Sequence, residues 1–463
     1  MNKGIVFCTP SGQNYAYIKE SNHIITLNNE WIASLDERTK TEDVFSVLEE
    51  MGQVSHSSVA NIVWPMDYKQ YLDEMQNQLQ SVVLEVTQEC TLRCEYCIYS
   101  GNYEGSRTHS NLYMTKKILK QALDFYKAHS TGRNEAHITL YGGEALIRFD
   151  IVQYAVAYAK QLFRDKDLSI RISSNGTTLN DSVIDWLLDN PEVAVNVTVN
   201  GNSHDMYRKF PDGIGSLNVI MHNIKKIREK HPDLWNRINF LANITTVQEL
   251  LDLRKFYQEM IEKPPVLITG IIAEGGNDII QRILEEKDDE VAMSTAKDLY
   301  IQNIDPYVKP YFHSGVTSVC ARWIETQPET VANSACCMPF TECLYVSASG
   351  KLGICEKVEF PVGFGNLDLG IDITFAQSLL DNALEIFNKK CTHCWCQRLC
   401  EICFKDFQIN SDGTVILPDS HCSRMKKQIE DSLCLFCEIS EKNPQMIETI
   451  KEQWIKTLKN VVI

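Results

Sequence analysis

The chain has 463 residues, 45 Lys+Arg against 61 Asp+Glu for a formal charge of −16, and 44% hydrophobic residues. That charge argues against a protein built to neutralise nucleic-acid phosphates or to sit on a membrane through a polybasic anchor. No apolar run reaches the roughly 18 residues of a membrane-spanning helix, and the first 20 residues alternate polar and apolar without a signal-peptide core.

The length suggests about three domains, with cores large enough to need no disulfide staples. Yet there are 17 cysteines. A chain of this size without an export signal is expected in a reducing cytosol, where grouped thiols point to metal binding or redox chemistry.

Residues 1–80 read as a separate unit. Short apolar runs at Gly4–Cys8, Tyr15–Ile18 and His23–Leu27, separated by polar turns, predict three strands. Helical patterns follow at Thr41–Met51 and Asp67–Gln80. Three strands with about three helices fit a winged-helix-like module, or an ordinary packing domain.

From Ser81 the pattern alternates strand and helix. Strands are predicted at Val82–Val86, Ala136–Tyr141, Leu168–Ser173, Val193–Val199, Ile238–Ile244 and Val266–Ile272, with helices between them. Six strands with helical crossovers imply an α/β fold with a parallel sheet, open or curled into a partial barrel. In such sheets function gathers at the C-terminal ends of the strands. Beyond about residue 275 the alternation is lost, a charged helical stretch spans about Asn277–Tyr311, and 13 of the 17 cysteines collect.

Directly after the first of these strands come Cys90, Cys94 and Cys97, with Tyr96 before the last. Three thiols at this spacing can converge on one iron–sulfur cluster. A cube usually takes four thiolates, so three leave one iron open for a small ligand. A closed zinc site is the other reading, but it needs four ligands, and no fourth stands nearby in the sequence.

This motif resembles the signature of radical S-adenosylmethionine (SAM) enzymes. The resemblance implies that SAM chelates the open iron of a [4Fe–4S] cluster and is cleaved to a 5′-deoxyadenosyl radical, the cofactors carrying the difficult chemistry. Strand two ends in Gly142-Gly143-Glu144, similar to the Gly-Gly-Glu motif of that family. There Glu144 is expected to accept from the SAM ammonium. Strand three ends in Ser173-Ser174-Asn175-Gly176, and by resemblance Ser174 and Asn175 face the SAM ribose or carboxylate. After strand four, His204-Asp205 and Arg208 resemble a His-Asp pair followed by Arg. A guanidinium there suits the SAM carboxylate. Relatives often have Asp before the preceding Gly, where this chain has Asn200.

The C-terminal cysteines resemble the SPASM extension of radical SAM peptide-modifying enzymes, which holds two auxiliary [4Fe–4S] clusters. Carried over, cluster I takes Cys337, Cys343, Cys355 and Cys403, and cluster II takes Cys391, Cys394, Cys400 and Cys422, which with the first group makes three clusters. Cys403 follows Cys400 after two residues where the pattern has three. Cys336 and Cys396 can substitute for their neighbours, and Cys434 and Cys437 form a further Cys-x-x-Cys, with packing the simpler role. Paired zinc ribbons are the alternative for this field.

The resemblance thus implies three parts: residues 1–80 as a winged-helix-like unit that binds the leader of a ribosomally made precursor peptide by strand addition, 81–300 as a partial (β/α)6 radical SAM barrel, and 301–463 as the SPASM domain. The implied activity is hydrogen abstraction from the core peptide and a Cys thioether crosslink, with Glu356 as general base and an electron donor such as flavodoxin or ferredoxin. Carbon–carbon crosslinking, epimerisation or oxidation, formylglycine-type maturation of sulfatases, and a non-catalytic peptide-binding role are the other readings.

Overall fold

A computed structural model describes residues 3–36, 40–54, 61–103, 107–271, 275–284, 289–322, 330–332, 337–358 and 363–461. The chain opens with three antiparallel strands, β1 (Gly4–Cys8), β2 (Asn14–Ile18) and β3 (His23–Thr26). Helices follow at Asn29–Ala33, Lys40–Glu50 and Tyr68–Asn77. The first starts where the Asn28 side chain accepts from Trp31 N, and the third at a capping box between Asp67 and Gln70; each cap satisfies amides that the first helical turn leaves unpaired. Strand alternation gives β2 two roles. Ala16 and Ile18 enter a small core with Val44, Phe45 and Leu48, while Tyr17 faces the main core of the molecule. Strand β4 (Asn61–Val63) lies between the second and third helices.

The main sheet begins with β5 (Ser81–Thr87), β6 (Glu135–Gly142), β7 (Asp167–Ser174), β8 (Val193–Thr198), β9 (Ile238–Ile244) and β10 (Leu267–Gly270), paired in that order and all parallel. Almost every residue of β5 is buried, as expected of a strand covered on both faces. The intervening helices match the periodic stretches in the sequence, for example Lys116–His129 and Phe149–Leu162.

The sequence yields six strands, but the sheet has eight. Strand β11 (Thr330–Ala332) pairs with β4. Strand β12 (Cys343–Val346) then lies parallel to β5 with Cys343 opposite Ser81, and β13 (Leu352–Gly353) closes that edge antiparallel to β12. Strands of four and two residues carry too little periodicity to be seen in sequence, and this pairing joins residues some 260 positions apart.

Long helices at Ile373–Lys390, Asp419–Lys442 and Pro444–Val461 complete the chain. Among the described residues no helix is long and apolar enough to cross a membrane. The N-terminal unit is fastened to this C-terminal part. Asn388 bonds both the N–H and the C=O of Ile62 (3.0 and 3.1 Å), and Trp64 packs against Phe387 and Phe404. Thr9 and Tyr15 both donate to the Glu441 carboxylate at 2.8 Å.

Candidate active site

Because β5 to β8 run the same way, the turns that follow them meet at one edge of the sheet. There they enclose a cavity of about 240 Å³. Cys90, Cys94 and Cys97 all line it, from the loop after β5. Leu92 N points at Cys90 Sγ (3.5 Å) and Tyr99 N at Cys97 Sγ (3.4 Å), and Asn175 Nδ2 donates to Cys90 Sγ at 3.6 Å. Donors aimed at sulfur favour its anionic, ligating form. Without a ligand burial dominates, pushing the Cys90 thiol up to about 12 and the Cys97 thiol to about 11. Among the described residues no three His, Cys, Asp or Glu side chains are grouped as ligands of one metal ion.

The second wall is the turn after β6. Gly142 has φ +142°, and a Cβ there would collide with the Thr87 carbonyl oxygen; one on Gly143 would collide with that of Glu89. Only glycine lets this turn press against the cysteine loop, where Gly143 N donates to Thr87 O (2.9 Å) and Glu144 N to Glu89 O (2.8 Å). Both glycines line the cavity. Glu144 lies behind them, fully buried. Its Oε1 accepts from Ser174 Oγ (2.9 Å), Thr178 Oγ1 (3.1 Å) and Leu146 N (3.2 Å), and its Oε2 from Asn175 N (2.6 Å). Burial raises its pKa, and these four donors oppose the rise. Glu144 thereby joins the turn after β6 to the turn after β7 and orients Ser174 and Asn175, which do line the cavity. The sequence offered Glu144 as a ligand contact; in this geometry its oxygens are engaged by the chain itself.

The third wall carries charge. Arg208 lines the cavity and is 6% exposed. One terminal nitrogen donates to the Tyr96 hydroxyl (3.0 Å), while its Nε has no hydrogen-bond partner. Asn200 Nδ2 donates to the same hydroxyl at 2.9 Å and Asn243 Nδ2 at 3.4 Å. Asn200 Oδ1 accepts from Asn243 N (3.0 Å), and Asn200 N donates to His204 Nδ1 (3.1 Å). His204 Nε2 lies 3.1 Å from Ser216 Oγ, and that hydroxyl donates to the Arg208 carbonyl. Asn200 is therefore a donor to Tyr96, a role Asp cannot fill when ionised.

Farther along, the thiols assigned from sequence to two sets fall into the same two neighbourhoods. Cys337 is pushed up to about 12 by burial, then by Glu342, with Cys403 and Cys355 adding to it. Cys343 is pushed to about 12 by burial and Glu356, with Cys355 and Cys337 adding. Cys391 is pushed to about 12 by burial, with Cys400, Cys394 and Cys422 adding. Cys396 joins this second group. Its thiol sits 3.4 Å from Cys394 Sγ and holds the Cys394 pKa down. Cys336 lies outside the described residues. Cys320 and Cys437 are buried, and the Cys434 thiol donates to the Cys8 carbonyl at 3.5 Å. Glu356 lies beside Cys355, whose Sγ is 3.5 Å from its carboxylate. It does not line the cavity. Tyr99, which does, donates to the Glu356 carbonyl at 3.5 Å.

The sequence assigns no site role to several cavity residues. Tyr99, His109 and Tyr141 line it too. Tyr99 and His109 stand in a loop that closes back on β5 through Arg107. That guanidinium pairs with the buried Glu85 carboxylate (2.5 Å) and lies over the Tyr99 ring, 3.5 Å from its centroid. Glu85 also accepts from Gln88 Nε2 and from Ala348 N, both at 3.0 Å, so it ties the C-terminal part to the same spot. A Glu inside an apolar strand and an Arg 22 residues later were the available signal for this pair.

Comparison with known proteins places this geometry. The Radical SAM superfamily profile matches residues 84–257. A probable GTP 3′,8-cyclase of Methanocaldococcus jannaschii is 24% identical over 188 residues, which cover 41% of this chain and 58% of that protein. A cysteine-type anaerobic sulfatase-maturating enzyme of Clostridium novyi is 27% identical over 173 residues, covering 36% of this chain and 43% of that protein. The chain thus spans about half the length of these relatives. In structure it is similar to anSMEcpe with bound AdoMet, at TM-score 0.55 and 14% identity, over 80% of this chain and 99% of that one. Residues 84–257, which supply every residue that lines the cavity, are thus a radical SAM domain.

Proposed function

We propose that the chain is a radical SAM peptide maturase acting on a ribosomally made precursor peptide. The observation that carries this is a single cavity in which three thiols, two close-packed glycines and a buried, half-satisfied guanidinium face one another. These residues fit the superfamily's cofactors. Cys90, Cys94 and Cys97 would hold the [4Fe–4S] cluster, and the backbone donors at Cys90 and Cys97 suit bound sulfur. Arg208 Nε is an orphaned donor matched to the SAM carboxylate. Gly142 and Gly143 leave backbone open to the ligand, and Ser174 and Asn175, oriented by Glu144, supply its polar partners. When bound, the cluster and SAM supply the 5′-deoxyadenosyl radical that removes a hydrogen atom from the peptide.

The chain's own residues do the rest. Tyr96, fixed by Arg208, Asn200 and Asn243, shapes the pocket floor. Ile98 and Tyr99 line the pocket, and Tyr99 reaches the Glu356 carbonyl of the C-terminal part. The two C-terminal thiol groups are each suited to one auxiliary [4Fe–4S] cluster, Cys337, Cys343, Cys355 and Cys403 for the first, and Cys391, Cys394, Cys400 and Cys422 for the second. They would accept the surplus electron when a peptide sulfur bonds to carbon. The leader is assigned to β3, one of the two outer strands of the N-terminal sheet, which among the described residues pairs with β2 alone and so leaves an edge for strand addition.

A peptide substrate is supported by the fold alone. The structurally similar anSMEcpe is also known with AdoMet and a Cp18Cys peptide, at TM-score 0.54 and 14% identity. Anaerobic reconstitution followed by co-expression with a candidate precursor tests the proposal. The expected results are iron near roughly twelve per chain, three cubes of four, release of 5′-deoxyadenosine, and a peptide two hydrogens lighter with its thiol resistant to alkylation. A lighter peptide with a free thiol would point instead to carbon–carbon crosslinking or oxidation. No 5′-deoxyadenosine from a fully loaded sample would leave only a peptide-binding role.

A further inference from the structure

Forming a thioether requires the peptide thiol to lose its proton as well as the carbon to lose its hydrogen atom. The groups able to take that proton must face the cavity. Among the described residues its titratable lining consists of the three cysteines, Tyr96, Tyr99, Tyr141, Arg208 and His109. The cysteines are assigned to the cluster. A guanidinium stays protonated in any protein setting. The three phenols hold their protons more firmly than usual because of burial. Glu356, the carboxylate singled out in the sequence, is not part of the lining. One imidazole remains.

Its orientation is set by the chain. His109 Nδ1 lies 3.4 Å from the Gln88 carbonyl oxygen. A carbonyl only accepts, so Nδ1 carries the ring proton and Nε2 is left with a lone pair. The loop that holds the ring is pinned on both sides. Arg107, two residues before, is bound to Glu85 and stacked on Tyr99. Ser110, the next residue, donates from Oγ to Gln88 Oε1 (2.8 Å) and from N to Gln88 O (3.4 Å). Beyond it, Gln88 N bonds Leu112 O and Met114 N bonds Val86 O. Burial lowers the imidazole pKa, the bond to the Gln88 carbonyl opposes that, and Arg93 and Arg107 add to the lowering, so the ring rests neutral with its Nε2 lone pair free of a proton.

We propose that His109 is a catalytic residue of the maturase, the general base whose Nε2 takes the proton of the peptide thiol at the cavity. In this step the S–H bond breaks, the proton passes to Nε2 to give an imidazolium, and the sulfur keeps the electron pair as a thiolate. When that thiolate bonds to the carbon radical, the one surplus electron would go to the auxiliary [4Fe–4S] cluster that Cys337, Cys343, Cys355 and Cys403 are suited to hold. No oxidant enters the proton transfer itself. The assignment rests on the peptide-maturase reading above.

Two measurements test it. The first needs no peptide. Nitrogen-15 NMR of His-labelled protein, with His109→Gln to identify the signal, should show a neutral His109 protonated on Nδ1. A ring protonated on Nε2 would overturn the proposal. The second uses the precursor that the wild-type enzyme converts on co-expression and counts crosslinked peptide per 5′-deoxyadenosine. His109→Gln should lower that ratio by about 100-fold, the usual scale for a lost general base. His109→Ala should lower it equally and recover in part with added imidazole, which a merely structural defect would not do. A ratio unchanged in both variants overturns the role of His109 while leaving the maturase reading intact. A wild-type enzyme that crosslinks no candidate precursor overturns the maturase reading, and with it the thiol proton transfer.

Discussion

At the scale of single residues, the buried polar groups around the cavity set its shape, and their substitution has calculable consequences. Glu144 takes four donors with two oxygens. Glu144→Gln keeps the shape but turns one acceptor into a donor, which must then face Asn175 N–H or a hydroxyl. An unsatisfied buried donor costs about 1–3 kcal/mol, so urea unfolding of the cluster-free protein should show a loss of about 2 kcal/mol. A change below about 0.5 kcal/mol would mean the carboxylate is not the staple described.

His204 gives a pH prediction. It is fully buried, and Nδ1 is committed to accepting from Asn200 N. Burial, with the Arg208 charge adding to it, pushes its imidazole down to about 3, against about 6.5 in the unfolded chain. Between these values the unfolded chain binds a proton that the folded one refuses. The contribution is whole above pH 6.5 and is lost as pH falls toward 3. Unfolding free energies at pH 7 and 4.5 should therefore differ less in His204→Gln than in the wild type, by about 2.5 kcal/mol. Equal pH slopes would refute this.

The same scale shows what the sequence could carry. Cys90, Cys94 and Cys97 are legible because three thiols so closely spaced stand out whatever packs around them. Gly142 and Gly143 are legible because no other residue fits that turn. Asn200 is not. Its purpose is set by Tyr96, 104 residues away, and only the folded chain brings the two within 2.9 Å. Nor is His109, whose place depends on a buried pair between Glu85 and Arg107.

At the scale of elements, periodicity located all six strands from β5 to β10 and their helices, because each has enough residues to show one buried face or two. It was silent on β12 and β13. Their pairing with β5 places Cys343 opposite Ser81 and brings Ala348 N onto Glu85, so the C-terminal part extends the sheet rather than hanging beside it. Asn388 makes a similar splice, offering its amide to both backbone groups of Ile62 as a neighbouring strand would. Asn388→Ala removes both bonds and leaves the N–H and C=O of the buried Ile62 without them. A loss of about 1–3 kcal/mol is expected, read as a lower thermal midpoint with faster amide exchange at Ile62. Unchanged exchange there would show that the splice is dispensable.

At the scale of the whole molecule, the two ends of the chain meet at the second thiol group. Lys19 Nζ donates to the Thr392 carbonyl at 3.0 Å, between Cys391 and Cys394, and Arg398 Nε donates to the Lys19 carbonyl at 2.9 Å. Tyr17 packs edge-on to Trp395. The loop that supplies two of the four thiols is thus also the seat of the N-terminal sheet. If that loop is ordered by a bound cluster, emptying the site should loosen the N-terminal unit while sparing the barrel, since local stability follows local contacts. The double variant Cys391→Ala, Cys394→Ala should lose about four iron per chain. Amide exchange in β2 (Asn14–Ile18) should then rise by about tenfold or more, a local opening cheaper by about 1.4 kcal/mol, while β6 and β7 keep their protection. Loss of the iron with unchanged exchange in β2 would show that the N-terminal unit is held by its own contacts, independently of the metal.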